Sequence, residues 1–291
     1  LFYFLKKDCN WAQEGHSIGW DQIRIRDWEE PLSFKNLGFK KSNSMDLKVS
    51  DSSILVNSEM KELEFQRSDG MLKRFKMHDL EMLVSPPKLN VWRAPADNDG
   101  IKAWSGQDHK ALGKWLQAGL NDLQIREQKS KILKKDEIFS EFEKLGISLA
   151  PEMKYVIKES VLNLGVKHIF DSGELEESLV HEIIWHVFPD CSLWMQNRVK
   201  VHESIEDLPR IGISLELSEK FEPLEWFGNG PHESYVDRKS GVRTGHFHSK
   251  VSEQYVPYIV PQEHGNLTDL RWIALNDGDK RGICFSSSTL F

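Results

Sequence analysis

The chain is organised around one stretch, Trp226 to Gly265, which reads WFGNGPHESYVDRKSGVRTGHFHSKVSEQYVPYIVPQEHG. Its Gly228–Pro231 segment predicts a turn, because glycine adopts backbone angles that other residues avoid and proline fixes its own. Behind the turn, Glu233, Asp237 and Arg238 can pair as two carboxylates with one guanidinium. The mixture of glycine, proline and aromatic residues predicts a long ordered loop over a sheet, and such loops are usually functional or interfacial.

Strand-like segments fill most of the remaining chain. Residues 63–66 and 71–75 alternate in polarity around the turn signal Arg67–Gly70, which predicts a hairpin. Short apolar segments separated by turn signals continue from 123 to 217. Residues 110–118 have apolar side chains at helical spacing and are followed by Gly119, so they predict the only substantial helix. Many strands with one helix indicate an all-β antiparallel sandwich.

Composition excludes several classes of protein. The 291 residues suffice for two modest domains or one large β domain. A net charge of −7 with scattered Lys and Arg argues against nucleic-acid binding, and a mean hydropathy of −0.49 without a long apolar run argues against a membrane span. Three widely spaced cysteines argue against a disulfide framework and favour a reducing compartment. We therefore expect a cytoplasmic protein without nucleic-acid or membrane partners.

The ends of the chain predict incomplete domains. Residues 1–5 form an apolar run with the length of a buried strand, and residues 18–25 alternate in polarity. Because two strands do not make a stable unit alone, we interpret residues 1–28 as the end of a sandwich domain. The polar residues 29–50 predict a linker, and residues 51–291 form the main domain. We expect both ends to continue in a longer protein.

Three motifs carry a resemblance to a known family. The Trp226–Gly265 stretch is similar to the C-terminal small-chain domain of family 2 β-galactosidases. The segment Trp92–Gly100, WRAPADNDG, resembles the R-A-P-x-D-N-D signature of the same domain. The segment Trp11–His16, WAQEGH, resembles the end of the immunoglobulin-like domain that precedes it. The three motifs occur in family order, which is far more specific than any one of them.

The resemblance implies a fold and a reaction. The fold is the galactose-mutarotase-like supersandwich over residues 51–291, preceded by remnant strands of an immunoglobulin-like domain over residues 1–28. The reaction of the parent enzyme is hydrolysis of terminal β-D-galactosides, lactose among them, with retention. Magnesium, and in some members sodium, is implied for the parent and lies elsewhere, so we expect no cofactor in this chain. The implied partner is a carbohydrate substrate bound by the parent's catalytic barrel, and a homo-oligomer of the full-length enzyme is left open.

The resemblance also assigns residues. It places a loop near the mouth of the active site, formed by Asp97, Asn98, Asp99 and Gly100. The residue pattern by itself predicts only an Asx-type turn. It begins like a calcium-binding loop but lacks the later ligands of such a loop. The residues of the structural motif are Arg93, Trp226, Gly228, Gly230, Pro231, Glu233, Tyr235, Asp237, Arg238, Tyr258, Pro261 and Glu263.

No catalytic pair is predicted in this chain. A retaining glycosidase needs two carboxyl groups about 5–5.5 Å apart. In the family these belong to a (β/α)₈ barrel of about 250 residues, for which the chain has neither room nor alternating strands and helices. Glu233 could imitate a nucleophile, but its setting beside Asp237 and Arg238 indicates a salt-bridge network that fixes the loop.

Two alternatives remain open. His246 and His248 lie on one face of a predicted strand and could bind a metal with His264 or Glu263, but we interpret them as solvent-facing and predict no metal site.

The chain could also be a stand-alone carbohydrate-binding or aldose-epimerase-like domain. An epimerase would place His181 and Glu263 on either side of a sugar ring as acid and base. That reading rests on fold analogy alone.

Overall fold

The computed structural model describes residues 1–23, 25, 45–101, 106–144, 151–279 and 281–287. The strands are β1 Phe2–Phe4, β2 Ser17–Trp20, β3 Asp46–Val49, β4 Ser53–Asn57, β5 Lys61–Gln66, β6 Leu72–Met77, β7 Leu80–Glu81, β8 Leu83–Asn90, β9 Leu123–Ile132, β10 Leu162–Ser172, β11 Leu175–Val187, β12 Leu193–Val201, β13 Gly212–Leu217, β14 Pro223–Gly230, β15 Arg243–Lys250, β16 Trp272–Asn276 and β17 Gly282–Ser286. The helices are α1 Ala111–Gln117, α2 Lys135–Lys144 and α3 Pro151–Glu159.

The strands of the described residues form antiparallel sheets. One sheet has the order β3-β4-β5-β6-β7, a second β12-β11-β10-β9, and a third β15-β14-β16-β17. The pairs β13-β8 and β1-β2 complete the arrangement. Most neighbours in space are also neighbours in sequence, which is the pattern of hairpins and meanders. The predicted all-β antiparallel fold is confirmed.

The main core lies between the first two of these sheets. Alternate residues of β4 and β5 point inward, including Ile54 and Phe65, which are fully buried. They pack against Leu164 of β10 and Trp185 of β11 in a single apolar cluster. The rings of Phe65 and Trp185 meet edge to face with centroids 5.7 Å apart. Two sheets that share one apolar interior make a sandwich.

The predicted helix is confirmed, but it is not the only one. Helix α1 buries Trp115, and Gly119 follows its end with a φ of 67°, the left-handed angle that glycine supplies beyond a helix. Helices α2 and α3 interrupt the region that the sequence predicts as strand. Each helix has few buried apolar residues to mark it in the sequence. Ile138 is fully buried in α2, and Val156 and Ile157 are fully buried in α3. A few apolar residues at helical spacing in charged surroundings are easily missed.

The N-terminal strands form a hairpin with an exposed apolar surface. Phe2 and Phe4 of β1 are 52% and 55% exposed, so the prediction of a buried strand over residues 1–5 is wrong for the structure described. The side-chain amide of Gln22 donates to Thr244 O at 2.8 Å and its oxygen accepts from Thr244 N at 2.9 Å. The Arg243 guanidinium lies 5.2 Å above the Phe2 ring. The hairpin is thus attached to strand β15.

The main sheet begins earlier than the predicted domain boundary. Strand β3 pairs with β4 from Asp46 to Val49, inside the range 29–50 that the sequence predicts as a linker. Residues 29–44 of that range lie outside the described residues, so the linker stays a prediction. Among the described residues, none of the helices has the length and apolar character needed to cross a bilayer.

Two histidines of β11 are buried in the sandwich. His186 is fully buried, and its Nδ1 lies 2.6 Å from Asn163 Oδ1. Burial lowers the pKa of His186 to about 4, because the imidazolium would lose its hydration. His181 is also fully buried, with Nε2 2.9 Å from Asn197 Oδ1, and burial lowers its pKa as well. Both side chains serve the core as neutral rings.

Acidification should therefore destabilise the fold between pH 6.5 and about 4. The unfolded chain binds a proton at His186 near pH 6.5, whereas the folded chain does so only near pH 4. The stability contributed by the neutral ring is complete above pH 6.5 and falls with decreasing pH, by up to about 1.4 kcal/mol per pH unit. Urea unfolding at pH 7, 6 and 5 measures this slope. The His186→Gln variant should show a smaller slope, and the exposed His109→Gln control an unchanged one. Equal slopes in the wild-type chain and His186→Gln would contradict the assignment.

Candidate functional site

The Trp226–Gly265 stretch begins as a strand, so the predicted turn at Gly228–Pro231 is wrong. Gly228 and Gly230 belong to β14 and pair with β15, and neither has a positive φ. A Cβ on Gly228 would lie 2.6 Å from Leu270 Cδ2, and one on Gly230 would lie 2.7 Å from Phe247 Cδ2. The glycines are needed for close packing rather than for backbone angles. Pro231 follows through a cis peptide bond and starts the connection to β15.

Trp226 anchors the stretch in the core. It is 1% exposed, and its Nε1 donates to Asn229 O at 2.9 Å. Its ring lies 5.4 Å from the Phe247 ring across the β14–β15 pair. The predicted loop, residues 226–265, therefore contains the end of β14, an irregular connection over residues 231–242, strand β15, and the first part of a second irregular connection over residues 255–271. Only the connections are irregular.

Glu233 joins three parts of these connections. Its carboxylate accepts hydrogen bonds from Arg238, from the Tyr258 hydroxyl and, at 2.7 Å, from the backbone N–H of Gly265. Arg238 Nη1 also lies 3.2 Å from the Tyr258 hydroxyl. Burial would raise the pKa of Glu233, but the three donors outweigh it and hold the pKa below its usual range. A carboxylate kept ionised by three donors from the fold stabilises the loop and is unsuited to the role of a general acid.

Two other residues of this motif lie at its edge. Asp237, predicted to share the network, is exposed and takes no part in the contacts of Glu233. The Arg238 guanidinium lies 5.3 Å above the Tyr235 ring. Burial raises the pKa of Tyr235 to about 12, so its phenol stays neutral. The sequence alone did not show that Glu233 is paired with Arg238 whereas Asp237 is exposed.

Asp99 is fixed inside the second motif. Its Oδ2 accepts from Arg93 Nη1 at 2.6 Å and its Oδ1 from Arg93 Nη2 at 3.1 Å. The same carboxylate accepts from Ala96 N at 2.7 Å, three residues earlier, which is the contact of a helix-start capping box rather than of the predicted Asx-type turn. Arg93 Nε donates to Pro209 O at 2.9 Å. The side chain of Asp99 is 14% exposed and so faces the protein rather than a ligand.

The other loop residues face outward or support the turn. Asp97 and Asn98 are exposed in the short 3₁₀ turn Asp97–Asp99. Gly100 is buried with a φ of 113°, and a Cβ there would lie 3.3 Å from Gln107 Oε1. Of the four residues assigned to the mouth, only Asp97 and Asn98 can present side chains to another molecule.

The structure brings the two motifs together at one place, which we call the motif junction and define as Arg93, Asp97, Arg210, Gln262 and Glu263. Asp97 N lies 3.4 Å from Gln262 Oε1. Glu263 is 14% exposed and pairs with Arg210, which adjoins the Pro209 carbonyl bound by Arg93. Pro261 is exposed beside the junction. The role of Arg210 was missed, because its partner is far away in sequence and no local pattern marks the pair.

A cavity elsewhere does not resemble a glycosidase site. About 540 Å³ in volume, it is lined by Asp51, Ser52, Ser53, Glu64, Gln66, Arg67, Ser68 and Lys73. Its lining has no aromatic side chain to face a sugar ring. Glu64 Oε2 lies 3.5 Å from Arg74 Nη1 and is engaged in that pair. The cavity contains no residue of either motif.

Comparison with known proteins identifies similar sequences over nearly the whole chain. The family model described as β-galactosidase small chain matches residues 57–290. The β-galactosidase of Priestia megaterium is 26% identical over 282 residues, which cover 96% of this chain and 23% of that protein. The β-galactosidase of Halalkalibacterium halodurans is 28% identical over 286 residues, covering 96% of this chain and 24% of that protein. The chain thus spans about a quarter of the length of the curated relatives it matches.

Replacing Gly228 with alanine should displace the loop that carries Leu270. The added Cβ would lie 2.6 Å from Leu270 Cδ2 and 2.8 Å from Leu270 Cα, so backbone as well as side chain must move. We expect Gly228→Ala to lower the free energy of unfolding by about 1–3 kcal/mol. Gly241→Ala is the matched control, since a Cβ there meets nothing within 4 Å. Equal unfolding midpoints in urea for the two variants would contradict the close-packing role.

Glu233→Gln should destabilise the connections. It leaves the half-exposed Arg238 without its partner and weakens the bonds from Tyr258 and Gly265, at a cost of about 1–3 kcal/mol. Asp237→Asn removes a neighbouring carboxylate that takes no part in these contacts and should change stability by less than about 0.5 kcal/mol. Urea unfolding of both variants at pH 7 measures the difference. A larger effect of Asp237→Asn would show that the wrong carboxylate has been identified.

Proposed function

The chain belongs to the β-galactosidase small-chain family, and from this premise we propose that it is a noncatalytic part of a β-galactosidase and forms part of the wall of the active-site mouth. The reaction of the complete enzyme is hydrolysis of terminal β-D-galactosides of the lactose type with retention. The catalytic glutamates, and any magnesium or sodium ion, belong to parts of the enzyme outside this chain. Relatives named β-galactosidase support the reaction class.

The engagement of three motif carboxylates, Asp99, Glu233 and Glu263, carries this proposal. Asp99 is bound by Arg93, Glu233 by Arg238, and Glu263 by Arg210. Retaining hydrolysis needs one carboxyl group that gives a proton to the leaving oxygen and a second that attacks the sugar, both facing the same bond. An arginine partner keeps a carboxylate ionised, which makes it unsuited to the role of the acid that gives a proton. The arrangement of these three pairs supports a structural role for both motifs.

Asp97 and Asn98 are the residues that we place at the mouth. They are exposed on the turn that the Arg93–Asp99 pair fixes from below. A carboxylate and an amide offer acceptors and donors that suit sugar hydroxyl groups. A rigid support for such groups limits the entropy lost when a substrate binds. We assign to them substrate positioning, with bond cleavage left to the catalytic part.

Two surfaces suit contact with the remainder of the enzyme. The connections of the Trp226–Gly265 stretch expose apolar side chains, with Val236 88%, Tyr255 66% and Ile259 100% exposed. We assign this surface to the catalytic barrel. The exposed apolar hairpin of β1 and β2 suits the remaining strands of an immunoglobulin-like domain. Large apolar groups in water are costly, and burial by a neighbouring domain would recover about 25 cal/mol per Å².

An epimerase has less support. His181 is fully buried and bound to Asn197, and Glu263 is bound to Arg210. An acid and a base for epimerisation must both reach a sugar ring. Neither side chain is available in that way, so no observation favours this second activity.

The chain alone should not hydrolyse a galactoside. We expect the purified 291-residue protein to release nitrophenol from p-nitrophenyl β-D-galactoside no faster than buffer. The Glu233→Gln variant should behave identically. Turnover by the wild-type chain that Glu233→Gln abolishes would overturn the proposal and identify Glu233 as a nucleophile.

The mouth assignment needs the enzyme assembled from this chain and its catalytic part. The Asp97→Ala/Asn98→Ala double variant should lower kcat/KM for lactose about tenfold, equivalent to about 1.4 kcal/mol of binding in the transition state. Asp136→Asn, exposed on helix α2 and outside both motifs, is the control and should leave kcat/KM unchanged. An unchanged kcat/KM in the double variant would exclude these residues from the mouth.

A further inference from the structure

Three metal-ligating side chains meet on the outer face of the β14–β15 pair. Glu225 of β14 stands opposite His248 of β15, and His246 stands opposite Phe227 one step along the same face. The alternate residues Trp226 and Phe247 point into the core on the other side. The three side chains are 39%, 47% and 63% exposed in the order Glu225, His246, His248. Solvent ions can therefore reach them.

The distances between their ligand atoms suit a single ion. Glu225 Oε2 lies 3.3 Å from His246 Nε2 and 3.7 Å from His248 Nδ1. One ligand atom from each residue lies within 4.8 Å of the other two. In tetrahedral zinc the metal–ligand bonds of about 2.0–2.1 Å separate neighbouring ligand atoms by about 3.3 Å. Small side-chain rotations are sufficient to bring all three atoms onto one ion.

The scaffold holds the ligands in place. Strands β14 and β15 pair continuously from Pro223↔Lys250 to Gly230↔Arg243. The Trp272 ring of β16 lies 5.3 Å from the His246 ring, and the two imidazole rings lie 4.3 Å apart. A paired sheet with an aromatic support limits the motion of the ligands before an ion arrives, and ligands that need little reorganisation bind more tightly.

We propose that Glu225, His246 and His248 form a binding site for a divalent transition-metal ion of the zinc class, with water in the remaining position. Two imidazole nitrogens and one carboxylate oxygen suit zinc, cobalt, nickel or copper, whereas magnesium and calcium prefer oxygen ligands alone. The site does not depend on the β-galactosidase assignment. The ion would link two neighbouring strands and stabilise the sheet.

The third ligand of this site differs from those that the sequence offered for these histidines. The sequence offers His264 or Glu263 as a third ligand, but Glu263 pairs with Arg210 and the His264 ring lies 5.1 Å from the Tyr255 ring. Glu225 completes the set instead. It precedes His246 by 21 residues and is brought to it by the register of the hairpin. Spacing within one strand could not reveal a ligand from the next.

Cobalt titration of the full chain tests the site, because four-coordinate Co²⁺ absorbs visible light. We expect one Co²⁺ per chain, displaced by Zn²⁺, with binding weakened about tenfold or more in His248→Ala and in Glu225→Gln. His109→Ala is the matched control, since His109 is exposed and outside the cluster. A Cys9→Ser/Cys284→Ser variant removes the exposed thiols and should bind as the wild type does.

Thermal unfolding gives a second readout. Zn²⁺ should raise the Tm of the wild-type chain and of His109→Ala, because an ion that binds only the folded state stabilises it. The same concentration of Zn²⁺ should leave the Tm of the His248→Ala variant unchanged. The proposal is overturned if the wild-type chain binds no Co²⁺ at 1 mM, or if His248→Ala binds it as tightly as the wild type.

Discussion

The apolar contact between two sheets is the constraint on which the remaining structure depends. Ile54 and Phe65 of the five-stranded sheet pack against Leu164 and Trp185 of the β9–β12 sheet in one apolar cluster. Each such side chain contributes about 1.5–3 kcal/mol when it leaves water. The loops cannot supply a comparable term, since they are mostly polar. The sandwich therefore sets the positions from which the loops extend, and polar contacts then select the conformation of each loop.

Arginine–carboxylate pairs perform that selection in the two motifs. Arg93 with Asp99 and Arg238 with Glu233 each hold an irregular segment whose backbone lacks a ladder of hydrogen bonds. The planar guanidinium fixes direction as well as distance, which a lysine would not do. Arg93 also reaches Pro209 O, so one side chain connects the loop before α1 to the segment before β13. These arginine–carboxylate pairs thus fix the geometry of both loops.

The sequence predicted the class of fold well and the local geometry less well. Period-2 alternation around 63–75 correctly indicated a hairpin, because one face of each strand is buried and the other is not. Gly228 and Gly230 were misread as turn residues, since a glycine required by a close neighbour looks the same in sequence as one required by its backbone angle. Helices α2 and α3 were missed because each has so few buried positions. Pairs such as Arg210 with Glu263 and Glu225 with His246 depend on tertiary register and leave no local pattern.

The attachment of Gln22 to Thr244 has a consequence for how copies of this chain behave in concentrated solution. Strand β15 is the outermost strand of its sheet, and its unpaired backbone groups could template a strand from another molecule. The Gln22 amide binds both the N–H and the C=O of Thr244, as a neighbouring peptide would. One side chain thereby blocks the end of an edge that would otherwise promote aggregation.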